Sequence, residues 1–449
     1  RQNDINRRVI QAVSDYPNFK FCWFNTEIED FLLDDVSLAR KYLPEQLPAA
    51  TKHEFILPGV IRDTDEGYLK CIYKYKWGDG LVAANKRVAD MVHKYRPDVT
   101  VFSDPYRLTS FYDRCTGLDA ISTWSYTNPD AKYGLYVETL IAAAKPERQK
   151  IVPTITMLNY PGTIFPKDKG WTLMGPGRLV ENCWLNFSRR CDVLGIYYSS
   201  ECLPLTTNPE QKEPYQKFPA SFEALKKFTS NVAVPYGALL KHLKTSHRRV
   251  AVLSSQSSRI YPYSPIYMST YYDPYQVYEF YILLAMNQIE ADIIFDETIK
   301  LYGLEDYDVL VLPKCETLLQ SVYEAIVAFQ SRGGLIIADQ YLRAPLDNII
   351  RFDFDFTYRD KVNADAIASG QTFAIWNDHL DVQKAELRNI KGITAEDDQL
   401  IMERYAKILG DTLKDKIKRR FSCSSPRVLI NVLENANAYY IFMVNDNRT

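Results

Sequence analysis

Between residues 20 and 243 the chain alternates short apolar runs with longer stretches of helical periodicity, and this restricts the fold more than any single motif. The strand-like runs are Lys20–Ile28, Val99–Phe102, Leu118–Ser122, Lys150–Met157 and Asp192–Tyr198. Helical periodicity fills Asp4–Asp15, Tyr68–Tyr95, Lys132–Ala144, Arg178–Arg189 and Phe222–Leu243. Parallel strands need a crossover of about a dozen residues or more, usually a helix, and these spacings supply one each time. The pattern therefore predicts parallel βαβ units with right-handed connections.

Polar and aromatic residues gather just past the C-terminal ends of these runs, the rim on which (β/α)8 barrels carry their sites. Five strands do not close an eight-stranded barrel. The expectation is the C-terminal part of a (β/α)8 barrel, with its first three strands preceding residue 1.

The pattern restarts near Thr245–Arg248. Arg249–Ser254 reads as a strand, Asp273–Ile289 as a helix, Ala291–Phe295 and Tyr307–Pro313 as strands, and Leu318–Ser331 as a helix. Gly333-Gly334 stops that helix before a strand at Leu335–Ala338. This β-α-β-β-α-β run predicts an open parallel sheet. Beyond it, Phe352–Asp360 alternates aromatic and charged residues, and Glu396–Arg419 is a charged amphipathic helix. Arg427–Asn445 predicts a β-hairpin around Asn435-Ala436-Asn437. The expected organisation is 1–245, 246–350 and 351–449, the last holding a linker, a helix and the start of a β-domain.

The 449 residues call for two or three domains. With 54 basic and 56 acidic residues the net charge is −2, which gives no electrostatic footprint for nucleic acid or an anionic membrane. No apolar run approaches the ~20 residues of a membrane span. Five histidines without metal spacing, and no Gly-rich phosphate loop, lead us to expect neither metal nor cofactor. The eight cysteines form no CxxC pair; buried free thiols are the default, disulfides stay open, and so does the compartment. The start lacks Met and a leader, and both ends read as cut from a longer protein, which is compatible with a secreted or extracytoplasmic location. The 32 Tyr, 21 Phe and 6 Trp suit sugar stacking, interfaces or large aromatic cores equally.

The segments RVAVLSS, DPYQVYEFYILLAMNQIEADII, YDVLVLPKCETL and RGGLIIADQYL, in that order from Arg249 to Leu342, resemble the trimerisation domain of β-galactosidases in which a flavodoxin-like domain follows a barrel. RVLINVLENANAYYIFMVNDNRT resembles the β-sandwich after such a domain, and the preceding strand order resembles a clan A glycoside hydrolase. The resemblance implies a carbohydrate ligand and self-association as a trimer. Tyr261–Tyr281 would then form a contact surface, unless these tyrosines cover their own sheet.

In clan A the acid/base Glu follows strand four as Asn-Glu, and the nucleophilic Glu follows strand seven. Lys20–Ile28 takes the place of strand four, so the resemblance points to Glu27 as acid/base with Asn25 near the substrate. Thr26 separates the two, a departure from the family's spacing that flips the face on which Glu27 projects. Lys150–Met157 takes the place of strand seven and runs into Leu158-Asn159-Tyr160 without a carboxylate. Retaining chemistry needs two carboxyl groups ~5 Å apart and inverting chemistry ~6.5–9.5 Å. Asp104, Asp168 and Glu201 are the rim carboxylates left for the second role, although Asp104 before Pro105 also reads as a turn residue. Trp124, Tyr126 and Trp171 are candidate stacking residues and Tyr198 a candidate pocket residue; packing is the other reading of each. Cys315 follows a strand in Pro313-Lys314-Cys315-Glu316, but the glycines of a nucleophile elbow are missing, and it reads as a core thiol. Two functions stay open: a glycoside hydrolase acting on β-linked glycans, or a barrel without its nucleophile that binds glycan or scaffolds an assembly.

Overall fold

The computed structural model of the chain describes residues 2–24, 55–65, 68, 81–103, 112, 117–125, 131–144, 149–156, 158–159, 172–173, 175–197, 219–260, 275–354, 356 and 395–445. In the first part, helix α1 (Gln2–Val13) leads into β1 (Phe21–Phe24). A small hairpin follows, β2 (Phe55–Leu57) and β3 (Val60–Ile61). Then come α2 (Leu81–Tyr95), β4 (Thr100–Ser103), β5 (Ala120–Ser125), α3 (Ala131–Ala143) and β6 (Lys150–Thr156). A short antiparallel pair, β7 (Leu158–Asn159) with β8 (Thr172–Leu173), precedes α4 (Pro176–Phe187) and β9 (Gly195–Tyr197). Helix α5 (Pro219–Phe228) continues through a π turn into α6 (Val234–Leu240).

β1 pairs parallel with β4, and β5 with β6 and β6 with β9 likewise. Asp119 joins the two groups. Its N–H donates to the Val101 carbonyl (2.9 Å), and its Oδ2 accepts the Val101 N–H (2.7 Å). Its own carbonyl accepts the Lys150 N–H at 2.9 Å. Asp192, just before β9, likewise accepts the Ile151 N–H at 2.8 Å. Short acidic side chains thus tie neighbouring strands at their N-terminal ends, the face of such windings that serves stability. The five strands lie in chain order, β1-β4-β5-β6-β9, as the alternation predicts.

The second part holds a five-stranded sheet. Short strand β10 (Lys244–Thr245) is followed by β11 (Val250–Ser254), α7 (Gln256–Ile260), α8 (Tyr275–Met286), β12 (Asp292–Phe295) and α9 (Asp296–Tyr302). Then come β13 (Val309–Leu312), β14 (Leu318–Leu319), α10 (Gln320–Ser331), β15 (Leu335–Asp339) and β16 (Ile350–Phe352). The sheet order is β12-β11-β13-β15-β16, all parallel, which is the doubly wound flavodoxin-like order. Val309–Leu312 is buried at every position, as expected of a strand covered on both faces.

Two expectations need correction. The β-α-β-β-α-β reading lacks α9, because a seven-residue helix is too short to show periodicity; its start is marked instead by Asp296-Glu297 and by the Phe295 N–H bonding Thr298 Oγ1 at 3.1 Å. Tyr281, offered as part of a contact surface, is 6% exposed and packs in the core, its hydroxyl beside the Arg189 guanidinium; residues 261–274 lie outside the described set.

In the third part α11 (Ala395–Leu413) precedes the antiparallel hairpin β17 (Val428–Asn435) and β18 (Ala438–Asn445), to which β10 adds a strand. Asn435 Oδ1 accepts the N–H groups of Asn437 (2.9 Å) and Ala438 (3.0 Å), an Asx turn at the expected place. The parts share one core. Leu135 and Leu140 of α3 lie in the same buried cluster as Val252, Phe280, Phe295 and Leu409. That explains why α3 is apolar nearly all round: its strands lie on one side and β12 and α8 on the other.

Candidate functional site

Parallel winding brings the C-terminal ends of β1, β4, β5, β6 and β9 to one rim. Phe24 lies opposite Ser103, Ser125 opposite Ile155, and Thr156 opposite Tyr197, so the paired strands end nearly level. Close approach of β6 and β9 depends on Gly195, where a Cβ would collide with the Thr154 side chain. Trp124 sits in β5 opposite Thr154. Asp104, Tyr126 and Tyr198 directly follow the last residues of β4, β5 and β9 in the sequence. Asn25, Glu27, Asp104, Tyr126, Asp168, Trp171, Tyr198 and Glu201 all lie outside the described residues.

A second polar cluster occupies the C-terminal edge of the five-stranded sheet, at the β11/β13 switch point where doubly wound proteins take ligands. Here it is stitched together internally. Ser257 Oγ and Ser258 Oγ donate to the Thr317 carbonyl at 2.8 and 2.6 Å, and the Thr317 N–H bonds Ser258 Oγ at 3.0 Å. Asp296 Oδ2 accepts the Ser257 N–H at 2.9 Å, and Asp339 Oδ2 accepts the Lys314 N–H at 2.6 Å. Both carboxyl groups are fully buried, and burial pushes each pKa up to about 7. Cys315 is buried among them. Burial, then Asp339, Asp296 and Glu316, push its thiol well above the ordinary range, and its Sγ meets the Pro313 carbonyl at 3.6 Å. Cys315 lies fully buried in the apolar cluster of the sheet and α10, the setting of a core thiol. Among the described residues no group of three or more His, Cys, Asp or Glu side chains could hold a metal ion. No described helix is long and apolar enough to cross a membrane.

Sequence reasoning missed the β2–β3 hairpin, which lies against this edge. Its signal was present: Pro58-Gly59, between the apolar triplet Phe55–Leu57 and the apolar pair Val60-Ile61, is a turn dipeptide.

Winding and rim define an α/β protein in which parallel strands separated by helices are joined to a doubly wound sheet. No family model matches the chain, and no curated protein matches it. Solved structures do. The β-galactosidase from Bacillus circulans sp. alkalophilus superposes with a TM-score of 0.54 at 13% identity, over 78% of this chain and 54% of that one. The β-galactosidase from the psychrophilic Marinomonas ef1 gives 0.47 at 13% identity, over 76% and 58%. The α-L-fucosidase isoenzyme 2 from Paenibacillus thiaminolyticus gives 0.46 at 14%, over 76% and 45%. The chain thus spans little more than half the length of the two β-galactosidases. The likeness to the Bacillus enzyme is one of fold, and it agrees with the resemblance legible in the sequence.

Proposed function

We propose that the chain is a glycosidase-like protein that acts on or binds β-linked glycans at the rim of its parallel strands. The observation that carries this reading is the common rim itself. Parallel strands end nearly level within the β1-β4 pair and within the β5-β6-β9 sheet, and a carboxylate and two tyrosines follow three of those ends directly. The fold likeness to a β-galactosidase supports the same reading. Glu27 is the proposed acid/base. Asn25, Asp104, Trp124, Tyr126, Trp171 and Tyr198 are the proposed sugar contacts. The 246–350 unit is the proposed flavodoxin-like assembly domain, with a homotrimer as the proposed state.

The test is hydrolysis of a panel of aryl β-glycosides and natural oligosaccharides by the protein and its Glu27→Gln variant. Loss of measurable turnover in the variant supports the acid/base role, and equal turnover in both removes it.

A second reading is a barrel retained for glycan binding or assembly. It is favoured by β6, which runs through Lys150–Thr156 and into β7 without a single carboxylate. Glycan binding without turnover on any substrate supports it.

A further inference from the structure

We infer that Phe55–Asp63 is a clasp, a separable segment that docks on the C-terminal edge of the five-stranded sheet. Its test does not depend on activity.

Three observations carry it. First, the hairpin adds a strand to a foreign partner. Val60 and Ile61 of β3 pair parallel with Leu318 and Leu319 of β14, and the Leu318 N–H donates to the Gly59 carbonyl at 2.8 Å. Val60 and Ile61 are completely buried, in the cluster that holds Leu253, Leu312, Val322 and Ile326 of the sheet and α10. Main-chain bonds plus alternate side chains in apolar pockets are the physics of strand addition.

Second, the approach admits only glycine. Gly59 has φ +66°, and a Cβ there would lie 2.7 Å from Arg343 Cβ and 2.8 Å from the Glu316 carbonyl oxygen. The turn is therefore wedged between the loops that follow β13 and β15.

Third, Asp63 caps a helix 258 positions away in sequence. The N-cap of α10 is Leu319, which has no capping oxygen. The orphan Ser321 N–H donates instead to Asp63 Oδ2 at 2.8 Å, Ser321 Oγ donates to Oδ1 at 2.5 Å, and Lys300 Nζ reaches Oδ1 at 2.8 Å. Although burial opposes it, the bonds from Lys300 and Ser321 hold the Asp63 carboxyl below the usual range, so it is a carboxylate at the positive end of the helix dipole.

The clasp thus covers the edge where doubly wound sheets take a ligand, and the serine bonds to Thr317 close the crevice beneath it. Because β3 pairs with β14, which is not a strand of the five-stranded sheet, the clasp should open without unfolding that sheet.

Hydrogen–deuterium exchange by mass spectrometry tests this on the whole chain. Asp63→Ala and Gly59→Val are expected to speed exchange in peptides covering 55–63 and 317–322 by about ten-fold, the loss of a helix cap and a strand contact. Peptides covering 250–254 and 309–312 should not change. If one variant does not fold, the unsubstituted protein gives the same answer across rising guanidinium: 55–63 and 317–322 should open together, before the sheet. The inference is overturned by unchanged exchange at 317–322, and equally by loss of protection in the clasp and the sheet as one unit.

Discussion

The Glu138 carboxylate of α3 receives the Arg248 guanidinium through two hydrogen bonds, 2.6 and 2.9 Å long, with both side chains 2% exposed. Arg189, beyond the end of α4, donates to the same carboxylate at 3.2 Å. Arg248 also reaches the Ala291 carbonyl (3.1 Å), Asp292 (3.2 Å) and Asn431 of β17 (2.9 Å). Although burial works against it, the charges of Glu138, Asp292 and Glu290 bind the Arg248 proton more firmly than usual. One buried ion cluster thus sits where the barrel-type strands, the five-stranded sheet and the C-terminal hairpin meet.

Removing one partner of a buried pair costs far more than the pair contributes, because the other charge is left desolvated. Glu138→Ala should therefore cost about 3–5 kcal/mol in guanidinium unfolding. Glu138→Leu combined with Arg248→Met should recover only part of that loss, because buried Arg189 still lacks this carboxylate and Asp292 and Glu290 lose Arg248. A single-variant cost below about 1 kcal/mol would show that the cluster is solvated in solution.

Asp296 makes stability depend on pH. Its folded pKa of about 7, raised by burial and then by Glu297, lies above the unfolded value, so between pH 4 and 7 the folded state holds the extra proton. Its contribution is complete below about pH 4 and is lost as pH rises through 7, on the order of 4 kcal/mol for a shift of this size. Asp339, also near 7, adds in the same direction. Melting temperatures of the protein and of Asp296→Asn, taken from pH 4 to 8, provide the check. The wild-type curve should fall more steeply over pH 4 to 7, and parallel curves would mean that Asp296 ionises freely.

The hairpin register makes a contrast between its faces. Leu433 is 1% exposed, whereas Met443, on the opposite face of the ladder, is 66% exposed. Leu433→Ala should cost about 2–5 kcal/mol, the range for a buried leucine. Met443→Lys should change stability by less than about 0.5 kcal/mol. A one-residue slip of β18 would exchange the inward Tyr440, Phe442 and Val444 for the outward Tyr439, Ile441 and Met443, and Met443→Lys would then be the costly change. Chemical unfolding of the two variants decides between the registers.

Much of the fold was legible because period and punctuation are local. The run Val309–Pro313 is apolar at consecutive positions, and Val309–Leu312 is the fully buried strand β13. Asn435-Ala436-Asn437 announced its turn because an asparagine side chain bonds backbone two and three residues on. The candidate site was legible only as positions: Trp124 falls in β5, Tyr126 directly follows that strand, and Asp104 and Tyr198 directly follow β4 and β9. What a side chain faces depends on neighbours distant in sequence, and no period encodes those. Asp63 stands in the polar stretch Arg62–Glu66, and nothing near it in the sequence indicates a helix that begins at residue 320.

The sequence by itself determined the α/β class, the alternation that winds parallel strands in chain order, the restart near residue 249 and the terminal hairpin. These follow from apolar periodicity and from turn residues acting within a few positions. Only the tertiary structure decided that β12 flanks β11, that Phe55–Asp63 lies on the sheet edge, and that Glu138 shares its charge with Arg189 and Arg248. Those choices rest on burial and on buried polar groups finding partners, and both are properties of the packed whole.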